Sequence, residues 1–238
     1  MQSSLLASFF ENVGKIFSTP KYMDMLWKGL GNTLLISVGA AAVGLILGTL
    51  VAIVKISSSD NKLMLVPKGI CSAYTTIIRG TPMALQLFIM AFVIFAIRGF
   101  PEVVTAILAF GINSGAYVSE SIRAGILSVD KGQTEAGRAL GLSASQTMIR
   151  IVIPQGMKNV IPAIGNELIA LIKETSIVSI VGSVIDLTVA AKNIGAGHNL
   201  ATYLAPMLVA ALFYLIIVYL LTLIIKLVER RLRRSDKR

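Results

Sequence analysis

Long apolar runs cut by short polar breaks dominate this chain. No charged residue lies between Lys28 and Lys55, a stretch long enough for a helix to cross about 30 Å of hydrocarbon. A second apolar region, residues 66–97, is interrupted only by Lys68 and Arg79. The 18 residues between Arg79 and Arg98 suffice for a crossing. An earlier start makes Arg79-Gly80-Thr81-Pro82 a bend within or beside the helix, because proline removes a backbone donor. Further spans are predicted at 103–126, 159–185 and 203–227. Residues 1–27 mix charge with short apolar pieces and predict an amphipathic lead-in at the membrane surface, without a cleavable secretory pattern. The segment 127–156 is too polar to cross, and 229–238 reads as a basic tail. The expected fold is an all-α membrane protein with five transmembrane helices in a domain covering 28–228.

Composition narrows the function classes. Of 238 residues 55% are hydrophobic, and 22 basic against 12 acidic residues give a formal charge of +10. The basic residues sit between or after apolar runs rather than beside exposed aromatics, which is membrane charge bias and not a nucleic-acid surface. Segments 55–79, 123–158 and the tail are rich in Lys and Arg, whereas the alternating loops hold only Arg98 and Lys192, to which the N-terminal lead-in adds Lys15, Lys21 and Lys28. With five spans this bias places the long loop and the C-terminus in the cytoplasm and the N-terminus outside. Cys71 is the one cysteine, so neither an intrachain disulfide nor a thiolate metal pair is available. His198, the one histidine, reads as a solvated loop residue between Gly197 and Asn199. In the first span Gly44 and Gly48 stand i, i+4, the small-residue spacing that lets helices approach closely in lipid.

Candidate chemistry falls in two places. In the long loop, Val129 to Leu140 predicts a short helix that Gly141 terminates, with Ala136 and Ala139 permitting tight docking and Glu135 pairing with Arg138. Read alone, it fits an ordinary interfacial helix at least as well as a docking helix. Inside the spans, ionisable groups cost a few kcal/mol each on insertion scales and need a cause. Asn113, Tyr117 and Glu120 share one helical face, and Asn166, Glu167, Lys173 and Glu174 follow in the next span, with Gln86 in the second. These are the candidate solute-binding residues. Glu120 with Arg123 also fits a structural pair, and Lys173 with Glu174 a gate or subunit contact. No residue suggests catalysis or a metal site. No G-x-x-x-x-G-K-[ST] phosphate loop occurs, so energy must come from a partner or an ion gradient.

The loop spacing decides between these. Glu135, Ala136, Gly141, Ile151, Ile153 and Pro154 match E-A-x-x-x-x-G, nine residues, then I-x-[LI]-P, which resembles the loop signature of membrane subunits of bacterial ATP-binding-cassette importers. Gly137 stands where a second alanine is usual, and Ile153 where leucine is. Ile78 to Pro82, Asn113 to Glu120, Arg123-Ala124-Gly125, Lys131-Gly132-Gln133 and Lys173 to Ser176 look like the polar amino acid permease family. The resemblance implies a type I importer core in the bacterial inner membrane. It makes Gln133, Glu135, Ala136, Gly137, Arg138, Ala139, Leu140 and Gly141 the coupling segment. It implies two ATPase subunits that bind the ATP and magnesium, with no cofactor in this chain. A second permease subunit, identical or homologous, and an extracytoplasmic amino acid-binding protein complete the expected assembly. A permease for another small solute and an ion-gradient-driven carrier stand as alternatives, although a carrier usually shows two related halves.

Overall fold

The computed structural model describes residues 2–57, 62–182, 184–196 and 200–233. His198, loop residues 58–61 and the tail from 234 lie outside the described residues. Among the described residues all regular structure is helical. Helix α1 (Gln2–Ser18) leads into α2 (Pro20–Ile56), and α3 (Leu65–Gly80) is followed by α4 (Met83–Ile89), which widens into a π turn at Met90–Ile94. Then come α5 (Glu102–Leu127), α6 (Lys131–Ala139), α7 (Ala144–Thr147) with a π turn at Met148–Val152, and α8 (Ile153–Glu174). The short α9 (Val178–Val181), α10 (Leu187–Gly195) and α11 (Leu200–Arg233) complete the chain.

Helices α2, α5 and α11 are long and apolar enough to cross a membrane; α3 and α4 make a fourth crossing if taken as one broken span, bent by 109°. The bend falls at the predicted Arg79-Gly80-Thr81-Pro82. Thr81 is extended (φ −120°, ψ 147°), the conformation that a following proline favours, because the ring crowds the helical region there. Thr81 Oγ1 donates to Ile77 O at 2.9 Å, and the Gln86 amide donates to Ile78 O at 2.7 Å and Thr81 O at 3.1 Å. Carbonyls freed by the break are thereby satisfied inside the apolar layer.

The fourth predicted span is shifted. Its helix, α8, starts at Ile153, inside the segment read as loop, and continues the turn Met148–Val152, whose π widening makes room for Pro154. It ends at Glu174 and passes through a 3₁₀ turn at Thr175–Ile177 to α9, which Gly182 closes in the left-handed region at φ 74°. At 22 residues, and with Lys158, Glu167, Lys173 and Glu174 along it, α8 is not among the helices apolar enough to cross by composition.

Two apolar clusters hold the bundle. Ile36, Ala40, Leu87, Ala106, Ala109, Phe110, Leu171 and Val178 join α2, α4, α5, α8 and α9. Ile16, Leu26, Leu30, Leu187, Ala190, Ala205 and Val209 join α1, α2, α10 and α11. The amphipathic lead-in therefore packs on α11 through Ile16 while Phe10 and Phe17 stay exposed. Gly44 and Gly48 face α5: a Cβ at Gly44 would meet Ser114 Oγ at 2.8 Å, and one at Gly48 would meet Val118 Cβ at 2.7 Å and Gly115 O at 2.8 Å. Bare backbone is what brings these two helices together.

Candidate functional site

Asp130 caps the start of α6, accepting from Gly132 N at 2.7 Å. The helix thus begins one residue after Asp130, not at Val129, since an aspartate at that position satisfies orphan N–H groups. Gly141 (φ 84°) ends it: Gly141 N donates to Arg138 O at 3.0 Å and Leu142 N to Gly137 O at 3.2 Å, the hydrogen-bond pattern of a left-handed helix stop. Glu135, Ala136, Arg138, Ala139, Leu140 and Gly141 are exposed, Leu140 by 81%. Gly137 is the one buried residue of the helix. The expected Glu135–Arg138 pair does not form, because Arg138 Nη1 instead donates to Leu142 O at 3.0 Å, in the turn beyond the helix stop. Gln133 accepts from Gln155 Nε2 of α8 at 3.1 Å.

The intramembrane candidates do not form one cluster. Gln86 and Asn113 come together, with Asn113 Nδ2 donating to Gln86 Oε1 at 2.9 Å and Asn113 only 5% exposed. One turn further along α5, Tyr117 lies under the Arg79 guanidinium, 5.4 Å from ring centre. That distance suits a cation–π contact. Another turn on, Glu120 is held on both oxygens: Oε1 by Lys55 Nζ of α2, and Oε2 by Arg123 Nε at 2.8 Å. Lys55 also donates to Thr75 Oγ1 of α3 at 3.0 Å. The stripe of three on α5 therefore meets α4, α3 and α2 in turn.

Helix α8 supplies the rest. Glu167 lies beside Ser114 of α5, whose buried hydroxyl makes no hydrogen bond of full geometry. Glu174, seven residues on, shares its face and its field. Asn166 and Lys173 are exposed. Ala170, Lys173, Glu174, Ser176 and Ile177 line an open depression of about 310 Å³. A second cavity, about 240 Å³ and almost wholly apolar, sits in the crook of the α3–α4 bend with Gln86 as its amide. Among the described residues no group of three His, Cys, Asp or Glu could hold a metal ion.

Sequence reasoning passed over Asp186, which is fully buried. It accepts from Val189 N at 2.8 Å and from the Tyr214 hydroxyl at 3.1 Å, while Leu187 N donates to Thr33 Oγ1 at 3.1 Å and Asn32 Nδ2 to Ile185 O at 2.9 Å. This network ties α2, α10 and α11. An aspartate just before an apolar helical run is a legible start signal; its burial comes from the packing of all three helices, which local pattern does not carry. Lys55 was likewise readable only as a span end.

Residues 44–234 match the family described as binding-protein-dependent transport system inner membrane component. The chain belongs to this family. It is 41% identical over 221 residues to the arginine transport system permease protein ArtQ of Bacillus subtilis, covering 92% of this chain and 97% of that one. It is 40% identical over 216 residues to the putative glutamine transport system permease protein GlnP of Rickettsia typhi, covering 90% and 94%. A crystal structure of an amino acid ABC transporter with histidines superposes with a TM-score of 0.81 at 37% identity, covering 91% of this chain and 98% of that one. As an inner membrane component of this transport family, the chain has a type I importer-like helical core and acts as a permease subunit, with ATPase activity residing in partner subunits.

Proposed function

We propose that this chain is the permease subunit of an importer for a polar or charged amino acid. Two ATPase subunits, which bind ATP and magnesium, drive it; a second permease subunit, identical or homologous, and an extracytoplasmic binding protein complete the assembly. One observation carries the reading: α6 turns a solvent-facing row of Ala136, Ala139 and Leu140 outward while its single buried residue seats on the same chain. A helix so mounted offers a partner a small-residue face and holds firm behind it. The solutes named for the arginine and glutamine permeases support the amino acid class.

On this reading ATP closes the two ATPases and moves α6, and the spans rock between outward and inward states. This is a two-state change biased by nucleotide, not chemistry on the solute. Five crossings, with α8 as the fourth, place the N-terminus outside and α6 with the C-terminus in the cytoplasm. Gln86, Asn113, Tyr117, Asn166, Glu167, Lys173 and Glu174 line the solute path, and Glu120 joins them in a state that releases Lys55. Glu167 and Glu174 suit a cationic or amino group, and Arg79 and Lys173 suit a carboxylate.

A tagged chain in its native membrane tests the reading. It brings down an ATPase, and uptake of labelled L-arginine or L-glutamine stops on ATP depletion. Uptake that survives ATP depletion and collapses with an ionophore instead identifies a gradient-driven carrier. Competition by a panel of amino acids sorts the solute class.

A further inference from the structure

Helix α6 has two routes to the rest of its chain, and they differ in stiffness. Along the backbone it continues through Gly141, an exposed glycine with positive φ and nothing within 4 Å of where its Cβ would lie. That route has open space around it and is held by the hydrogen bonds that end the helix, with no side chain of another helix packed on it at Gly141. Laterally, Gly137 seats on the segment leading into α8. A Cβ at Gly137 would lie 2.8 Å from Thr147 Cγ2, 3.0 Å from Ile151 Cδ1 and 3.1 Å from Thr147 Oγ1. Alanine cannot enter without displacing α6 or its seat, since close-packed groups have no slack to give.

The seat is itself fixed. Thr147 is fully buried and donates to Ser143 O at 3.0 Å. Ser143 and Gln146 form a reciprocal capping box that holds α7. Ile151 belongs to the π turn Met148–Val152. Pro154 follows, and its ring crowds the carbonyl four residues back, at Arg150, which the widened turn accommodates. A second tie crosses the same junction: Gln155 Nε2 donates both to Gln133 Oε1 and to Ile151 O, each at 3.1 Å. Below it, Gly156 lies against Gly125 O and Ile126 of α5.

We propose that Gly137 is the positioning residue for energy coupling: it lets α6 bed on Thr147 and Ile151 so that α6 and the base of α8 move as one body, with Gln133–Gln155 as the second tie. This rests on α6 being the helix that the ATPase grips. Displacement of α6 then enters α8 sideways at residues 147–155 and reaches the helix that carries Asn166, Glu167, Lys173 and Glu174. The glycine at 137, where the loop signature usually has alanine, is thus a fitted part and not a neutral replacement. Helix propensity argues the opposite: alanine favours a helix over glycine by about 1 kcal/mol. The two effects predict opposite signs for one substitution.

The test uses the complete importer reconstituted in liposomes with its ATPase and binding protein, and labelled L-arginine and L-glutamine as probes. The readout is solute moved per ATP hydrolysed, which does not depend on how much complex is recovered. Gly137→Ala is expected to lower this ratio about tenfold, within the range that mutations along coupled networks produce. Adding Thr147→Ser removes the methyl that the new Cβ meets and keeps the hydroxyl, so the paired variant recovers most of the loss. A wild-type ratio in Gly137→Ala, or a pair no better than the single variant, overturns the proposal. If Gly137→Ala does not assemble, Gln155→Leu decides: a loss of about threefold supports the tie, and an unchanged ratio overturns it. A wild-type chain that brings down no ATPase overturns the docking reading itself, an outcome distinct from an intact complex that couples normally without Gly137.

Discussion

Gly48 of α2 lies so close to α5 that any side chain there displaces backbone: its absent Cβ would stand 2.8 Å from Gly115 O. Gly48→Leu is therefore expected to destabilise the folded protein by about 1–3 kcal/mol through overpacking, read as a lower thermal midpoint in detergent. Gly31, on the same helix with nothing within 4 Å, is the control. Gly31→Ala leaves the midpoint unchanged or slightly raised, because only helix propensity changes. An equal drop in both variants would mean that the α2–α5 seam is not set by bare backbone. Asp186 makes a second residue-scale case. Asp186→Ala orphans the buried Val189 N–H and leaves the Tyr214 hydroxyl with Thr188 Oγ1 at 3.2 Å, at about 1–3 kcal/mol. Asp186→Asn keeps one acceptor oxygen for the cap and loses less. The same thermal assay ranks wild type above Asn above Ala, and Asn equal to Ala would remove the capping role. Neither residue's weight was equally visible beforehand. The i, i+4 spacing of Gly44 and Gly48 announces close approach, whereas Asp186 owes its burial to residues more than a hundred positions away in α2.

For single elements, legibility followed how local the deciding physics is. The α3–α4 bend was readable because proline acts on the residue before it and on the carbonyls one turn back. The limits of α5 were readable because Pro101 and the polar Ser128 bracket an apolar run. The start of α8 was not, since Pro154 can end a loop or lie within a helix, and here the helix runs through it from the π turn Met148–Val152. Glu135 and Arg138 show the same limit in miniature: their spacing allows a pair, but the Leu142 carbonyl outcompetes it once Gly141 turns the chain. That turn is testable. Gly141 has open space around it, so Gly141→Ala costs only the left-handed backbone, about 1–2 kcal/mol. The expected result is a frayed α6 C-terminus and weaker ATPase retention, measured as copurified ATPase per permease. Gly141→Asn, which tolerates that conformation better, recovers part of the retention. Undiminished retention in Gly141→Ala would show that the helix stop is dispensable for docking.

Across the whole molecule, the ends of the helices sort by charge as the spans alternate. Lys55 at the end of α2 meets Glu120 near the end of α5, and Gly125 of α5 meets Gly156 near the start of α8, so these termini share one side of the bundle. The same side carries α6, α7 and the basic end of α11. Basic residues gather on the cytoplasmic side because they resist translocation, and on that ground we propose that this end is cytoplasmic and the Arg98 turn extracytoplasmic. Composition alone leaves α8 short of a crossing, so the topology hangs on whether its polar residues face the bundle interior. There, intramembrane charges find partners or water. Single cysteines resolve it. In a Cys71→Ala background, Ser145→Cys on exposed α7 and Arg98→Cys on its exposed turn report opposite sides. A membrane-impermeant maleimide applied to intact cells is expected to label Arg98→Cys and spare Ser145→Cys until the membrane is opened. If α8 did not cross, the C-terminus would lie opposite α7, and a cysteine added after Arg238 would label in intact cells while Ser145→Cys did not. Protection of both, with Arg98→Cys reactive, requires an even number of crossings after α7, so that α8 spans as well as α11, and places α6 on the side where an ATPase can reach it.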